Sequence, residues 1–161
     1  MKTKESKKVL IALDYDKSAQ KVAAAGYEMA KAMNAEVVLL HIISDPVYYS
    51  SVEYSPIMGL TDSLGVDPLK FDGTDRLKKV SQHFLDETKK HLGDETIKTD
   101  LKEGDFADSI LAAAKDLHAD VVVMGSHSRK WLENIVMGSV TEKVLRHISI
   151  PLFIVPIKKH D

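Results

Sequence analysis

Cysteine is absent from all 161 residues. Disulfides, thiol catalysis and cysteine metal sites are therefore excluded, and the absence fits a reducing compartment. No surplus of either charge exists: 22 Lys and Arg stand against 24 Asp and Glu, a formal net charge of −2. General affinity for nucleic acid or for a membrane surface needs a basic excess that this chain does not carry. Long apolar runs are missing too. After MKTKESKK comes only Val9 to Leu13 before Asp14, too short for a signal h-region, and nothing approaches a membrane span. A cytoplasmic protein is expected. The seven histidines show neither an HExxH spacing nor a tight cluster with carboxylates, so no structural metal site is expected.

What is present is an ordinary soluble balance, 44% apolar and 29% charged residues. At this length one domain with a sizeable core is expected. Val9-Leu10-Ile11-Ala12-Leu13 is a continuous apolar run that reads as a central parallel strand. Asp16 or Ser18 can cap the helix that follows, whose stripe is Ala19, Val22, Ala23, Gly26, Met29, Ala30 and Met33, with Asn34 as its stop. Glu36 to Ile43 is the second strand, closing a βαβ unit. Ser44 to Asp72 breaks the rhythm with Pro46, Pro56, Pro68, Gly59, Gly65 and three of the five tyrosines. So long a connection either covers a ligand, packs at a subunit contact, or is a surface excursion.

Regularity returns with a helix over Thr74 to Leu92, capped by Thr74 or Asp75 and stopped by Gly93. Thr96 to Lys102 is a weakly alternating strand, expected at an edge. Gly104-Asp105 starts a third helix with Phe106, Ile110, Leu111, Ala114 and Leu117 inward. Val121 to Met124 is a buried strand, Ser139 to His147 a helix, and Leu152 to Val155 a last strand between Pro151 and Pro156. Flanking prolines place that strand at an edge. Five strands alternating with four helices make a doubly wound α/β sheet.

The chemistry gathers in Asp120 to Thr141, DVVVMGSHSRKWLENIVMGSVT. A strand runs into Gly125, then a polar, basic patch, then Gly138-Ser139-Val140-Thr141 at a helix start. Helix N-termini present unpaired N–H groups and partial positive charge. Glycines leave the backbone open, Ser139 and Thr141 add hydroxyls, and Arg129 or Lys130 adds full charge, so the stretch reads as a phosphate cradle. Read as punctuation alone, Gly125 ends a strand and Ser139 caps a helix.

This stretch resembles the signature of the universal stress protein family in its ATP-binding branch: a glycine, two residues, a glycine, nine residues, then glycine and Ser or Thr. Here Gly125 leads, Ser128 stands where the middle glycine is expected, Arg129 to Met137 are the nine, and Gly138-Ser139 closes. The resemblance covers nearly the whole chain. It implies strand order 3-2-1-4-5, a ligand crevice between strands one and four, and ATP with magnesium as the ligand. It further implies that Asp14 holds the ribose and that the backbone of Ile42 meets the adenine edge. Gly125, His127, Ser128, Arg129, Gly138, Ser139, Val140 and Thr141 would hold the phosphates, and Ala12 and Met124 belong to the same set. Ser128 departs from the pattern: if the middle glycine serves a positive φ, serine there costs about 1 kcal/mol. The family also implies a homodimer through the last strand, whose open apolar edge invites a partner.

Other readings compete. Asp14-Tyr15-Asp16 after a central strand resembles the start of haloacid-dehalogenase-type phosphatases, but the downstream acidic pair is at the wrong strand and spacing. A receiver domain fails on its paired acids and its Lys-Pro. Walker and nucleophile-elbow motifs are absent. No residue resembles a general base or nucleophile, so slow hydrolysis at most is expected and a switch or sensor is favoured over an enzyme. Trp131 either closes over the nucleotide or packs under its loop, and His41 reads as a strand histidine. The alternative within the family is a stress protein that binds no nucleotide and acts through protein contacts alone.

Overall fold

The computed structural model describes residues 6–14, 18–43, 74–126 and 138–157. These form β1 (Lys8–Leu13), α1 (Ala19–Ala32), β2 (Glu36–Ile43), α2 (Thr74–Leu92), β3 (Lys98–Glu103), α3 (Phe106–Asp116), β4 (Val121–Gly125), α4 (Ser139–His147) and β5 (Leu152–Val155). All strand pairs are parallel, in the order β3-β2-β1-β4-β5. Both edges therefore fall where the weak alternation of β3 and the prolines around β5 put them.

The apolar runs of the central strands are covered on both faces, as a parallel sheet requires. Val9, Ile11 and Leu13 of β1 join Val37 and Leu39 of β2, Val22 and Ala30 of α1, and Leu85 of α2 on one face. Leu10, Val38, Leu40 and Ile42 face the other way, against Ala107, Ile110 and Ala114 of α3 and Val144 of α4. Gly26 lets α1 approach closely: a Cβ there would lie 2.8 Å from Ile11 Cδ1 and 3.1 Å from Val123 Cγ1. Strand starts are pinned by Asp120, whose carboxylate accepts from the Lys8 amide at 2.8 Å while its own amide donates to the Lys8 carbonyl at 2.8 Å.

Helix ends follow local rules. α1 and α3 finish in the same motif. The Ala35 amide donates to Ala30 O and the Asn34 amide to Lys31 O; likewise Ala119 donates to Ala114 O and His118 to Lys115 O. Asn34 and His118 take the left-handed conformation this demands, at φ 53° and 51°. Gly93, at φ 72°, ends α2 as expected.

Some local expectations need correction, and others fall outside the described residues. β3 begins at Lys98, not Thr96, because the Thr96 amide and hydroxyl both donate to Asp94 Oδ1, at 2.9 and 2.6 Å, and hold that residue in a turn. Ser18 occupies the N-cap of α1 in a helical conformation and makes no side-chain capping bond, whereas Asp105 does cap α3, accepting from the Asp108 amide at 3.0 Å. Asp16, the side chains of Thr74 and Asp75, and the 44–72 segment lie outside the described residues.

Candidate functional site

At the C-terminal ends of β1 and β4 the sheet order reverses direction, and connections leaving the two strands diverge. A crevice opens there, as expected in doubly wound sheets. It encloses about 770 Å³, solvent at its mouth included, and is lined by Ala12, Leu13, Asp14, Ser18, Ala19, Val22, Leu40, Ile42, Phe106, Ile110, Met124, Gly125, Ser139, Val140 and Thr141. The lining has the usual character of small-molecule sites, apolar walls with few convergent polar groups.

Of the residues picked out in the sequence, Ala12, Asp14, Ile42, Met124, Gly125, Ser139, Val140 and Thr141 all line this one crevice. Gly138 adjoins it as the N-cap of α4. His127, Ser128, Arg129 and Trp131 lie outside the described residues. The sequence reading did not place Leu13, Leu40, Phe106 and Ile110 at the site. Phe106 and Ile110 were legible only as the inward stripe of a helix; the sheet order brings the first turns of α3 to the same wall as Ile42.

The start of α4 is the polar end of the crevice. Gly138 has φ −73° and ψ 161°, open to any residue, and no side chain caps the helix. Among the described residues no acceptor faces the amides of Ser139, Val140 and Thr141. Three first-turn donors and the positive pole of the helix therefore converge on the crevice mouth, a geometry suited to an anion.

The cradle is narrower than the glycine spacing suggests. The Gly138 amide already donates to the Ser126 carbonyl at 3.1 Å, so it is not an anion donor. The Thr141 hydroxyl, expected to face the ligand, is buried and donates to the Gly125 carbonyl at 2.9 Å. Gly125 also differs from expectation. Its missing side chain makes room for protein, since a Cβ would lie 3.1 Å from Val22 Cγ2 and 3.2 Å from Ile157 Cγ1. Ser126 completes the tie: its amide donates to Val155 O at 3.0 Å, and its Oγ accepts from the Ile157 amide at 2.9 Å. The strand end, the helix start and the C-terminal segment are thus bolted together around the three open amides.

Asp14 follows directly on β1 and is the only charged residue among those described that line the crevice. Behind it, on the α1–α2 face, His41 is 1% exposed. Its Nδ1 lies 2.8 Å from the Leu13 carbonyl oxygen. Burial pushes the imidazole below its ordinary pKa, against the Leu13 hydrogen bond and the Asp14 charge, which act the other way. The ring is therefore neutral at pH 7. Outside the crevice, Lys143 of α4 pairs with Asp105 and Asp108 of α3, at 3.4 and 3.2 Å. Among the described residues no group of three metal-ligating side chains occurs, and no helix is long and apolar enough to cross a membrane.

Comparisons with known proteins agree with this architecture. The family model described as the universal stress protein family matches residues 5–156. Universal stress protein MJ0531 of Methanocaldococcus jannaschii is 30% identical over 162 residues, 96% of this chain and 85% of that one. Universal stress protein MJ0577 of the same organism is 28% identical over 156 residues, 94% of this chain and 96% of that one. The solved structure of MJ0577 superposes with a TM-score of 0.66 at 26% identity, covering 95% of this chain and 97% of that one. A universal stress protein solved in complex with cAMP shares the fold, with a TM-score of 0.61 at 18% identity over 95% of this chain and 98% of the other. Sheet order, crevice and sequence converge, and the chain belongs to the universal stress protein family.

Proposed function

We propose that this protein binds ATP in the crevice between β1 and β4, as a member of the nucleotide-binding branch of its family, and acts as a switch or sensor. The observation that carries the reading is the start of α4. Three amides without an acceptor among the described residues and a single carboxylate border one largely apolar crevice. Nucleotides ask for that combination: a flat apolar base, a diol and a polyanion.

The amides of Ser139, Val140 and Thr141 take the phosphates, with the exposed Ser139 hydroxyl beside them. Asp14 accepts from the ribose hydroxyls. The base enters the slot of Ile42, Leu40, Phe106 and Ile110, and the Ile42 backbone meets the adenine edge. Ala12, Met124 and Gly125 form the floor. His127, Ser128 and Arg129 fall between β4 and α4 in sequence, outside the described residues, and in this reading Arg129 supplies a full positive charge the described lining lacks. Ser128 in the middle-glycine position adds a hydroxyl there. Magnesium enters with the nucleotide, held by its phosphates. No described lining residue is placed as a nucleophile or tuned base, so hydrolysis is slow at most. In this reading the protein is cytoplasmic and pairs with a second copy through the β5 edge, where Phe153 is 40% exposed.

Denaturing the freshly purified protein and chromatographing the supernatant tests this. Stoichiometric adenine nucleotide, lost in Gly138→Val, is the expected result. Calorimetric titration with ATP, AMP and cAMP then ranks the ligands. No nucleotide recovered and no heat on titration would leave the rival role, protein contacts without a nucleotide.

A further inference from the structure

We propose that His41 is a positioning residue for the crevice: its ring holds the Leu13 carbonyl and thereby sets Asp14 against the sugar of the bound nucleotide. The inference rests on the nucleotide reading of the site. His41 itself is not among the residues that line the crevice.

The chemistry of the contact fixes the direction of the bond. A carbonyl oxygen only accepts, so at 2.8 Å the proton sits on Nδ1 and His41 donates to Leu13. Leu13 is the last residue of β1 and the register partner of His41, and Asp14 is the first residue beyond the strand. Leu13 and Asp14 both line the crevice. A bond to the carbonyl of Leu13 therefore acts on the peptide unit that carries the Asp14 amide, and so on where the end of β1 delivers the Asp14 side chain.

The ring is itself held. It is buried, and it meets Phe84 of α2 edge-on with centroids 5.8 Å apart. Its neighbours along the same face of β2 are Val37 and Leu39. An aliphatic side chain at 41 would continue that core without a polar group to bury. Histidine costs stability at this position unless bonded, and the bond it makes goes to the end of the strand that delivers Asp14.

Titration calorimetry of wild type, His41→Leu and His41→Asn, each against ATP and against inorganic triphosphate, tests the proposal. Asparagine keeps a donor where Nδ1 stands; leucine does not. Losing the placement of one hydrogen-bonding carboxylate corresponds to about tenfold in affinity. His41→Leu should bind ATP about tenfold more weakly and triphosphate as wild type does, with His41→Asn restoring ATP binding. Wild-type ATP affinity in His41→Leu, or an equal loss for ATP and triphosphate, overturns the proposal while leaving the nucleotide reading intact. Failure of wild type to bind ATP overturns the nucleotide reading instead. The bond is then decided by nitrogen-15 NMR of the free protein. An Nδ1-protonated ring, with the Asp14 amide signal displaced in His41→Leu but not in His41→Asn, supports it, and an Nε2-protonated ring overturns it.

Discussion

The hydroxyl of Thr141 donates to the carbonyl of Gly125 at 2.9 Å and joins the first turn of α4 to the last residue of β4. Sixteen residues separate the two in sequence, so the bond fixes where the helix begins relative to the sheet. Replacing Thr141 by valine keeps the shape and leaves a buried carbonyl without this donor. A loss of about 1–2 kcal/mol is expected, read from the urea midpoint at unchanged slope. The substitution retains the backbone amide at this position, so ATP affinity should fall less than it does in a variant aimed at the amides themselves.

Such a variant is Ser139→Asp. A carboxylate in the first turn suits the helix dipole and should hold or raise the melting temperature by an amount worth about 0.3–1 kcal/mol. The same charge stands where the phosphates would lie. Thermal unfolding unchanged or improved, with ATP binding weakened at least about tenfold, is the expected pair of results. Undiminished binding would move the phosphates away from α4.

The imidazole of His41 gives the protein a pH dependence of known sign. Its folded pKa is pushed down by burial, so the unfolded chain takes up the proton first. The stability due to the neutral ring is complete above about pH 6.5 and is lost as pH falls from there toward the folded value, at up to about 1.4 kcal/mol per pH unit. His41→Asn should remove this slope in urea titrations between pH 7.5 and 5. Two shifted carboxylates act outside this window. Asp94 is held low by the Thr96 hydroxyl and amide, and Asp105 by the Asp108 amide. Their contributions are present above about pH 3.9 and vanish only in stronger acid.

His118 is exposed and sits at φ 51°, a conformation that costs a non-glycine residue about 1 kcal/mol. His118→Gly relieves that cost and gives back part of it through the freer unfolded chain. A net gain of about 0.5 kcal/mol is expected by chemical denaturation. Asn34→Gly, at φ 53°, should gain less, because asparagine tolerates this region.

The sheet was legible because buried parallel strands leave an unbroken trace: Val9 to Leu13, Val37 to Leu40 and Val121 to Met124 are short apolar runs rich in β-branched residues or leucine, as buried strands are. The edges were legible from Pro151 and Pro156 and from the sparse apolar face of β3. Gly125, Ser139, Val140 and Thr141, picked out by glycine spacing, line the crevice, but two of them make contacts that the spacing does not carry. Gly125 is small for Val22 and Ile157, and the Thr141 hydroxyl turns inward to a carbonyl. Both are decided by tertiary contacts that no local pattern encodes. Phe106 and Ile110 reach the site only because β3 lies two strands from β1, a fact of topology. The late start of β3 was hidden for the opposite reason, a single side chain, Asp94, holding Thr96 away from the ladder.

A helix that opens with three donors unanswered by its own described chain is an unfinished piece of secondary structure. Whatever anion settles there completes it, and the energy of that completion stabilises the native state alone. A ligand at a hundred times its dissociation constant adds about 2.7 kcal/mol to the unfolding free energy. In the proposed reading, survival of the fold under heat or proteolysis would report how much of that anion the surroundings contain.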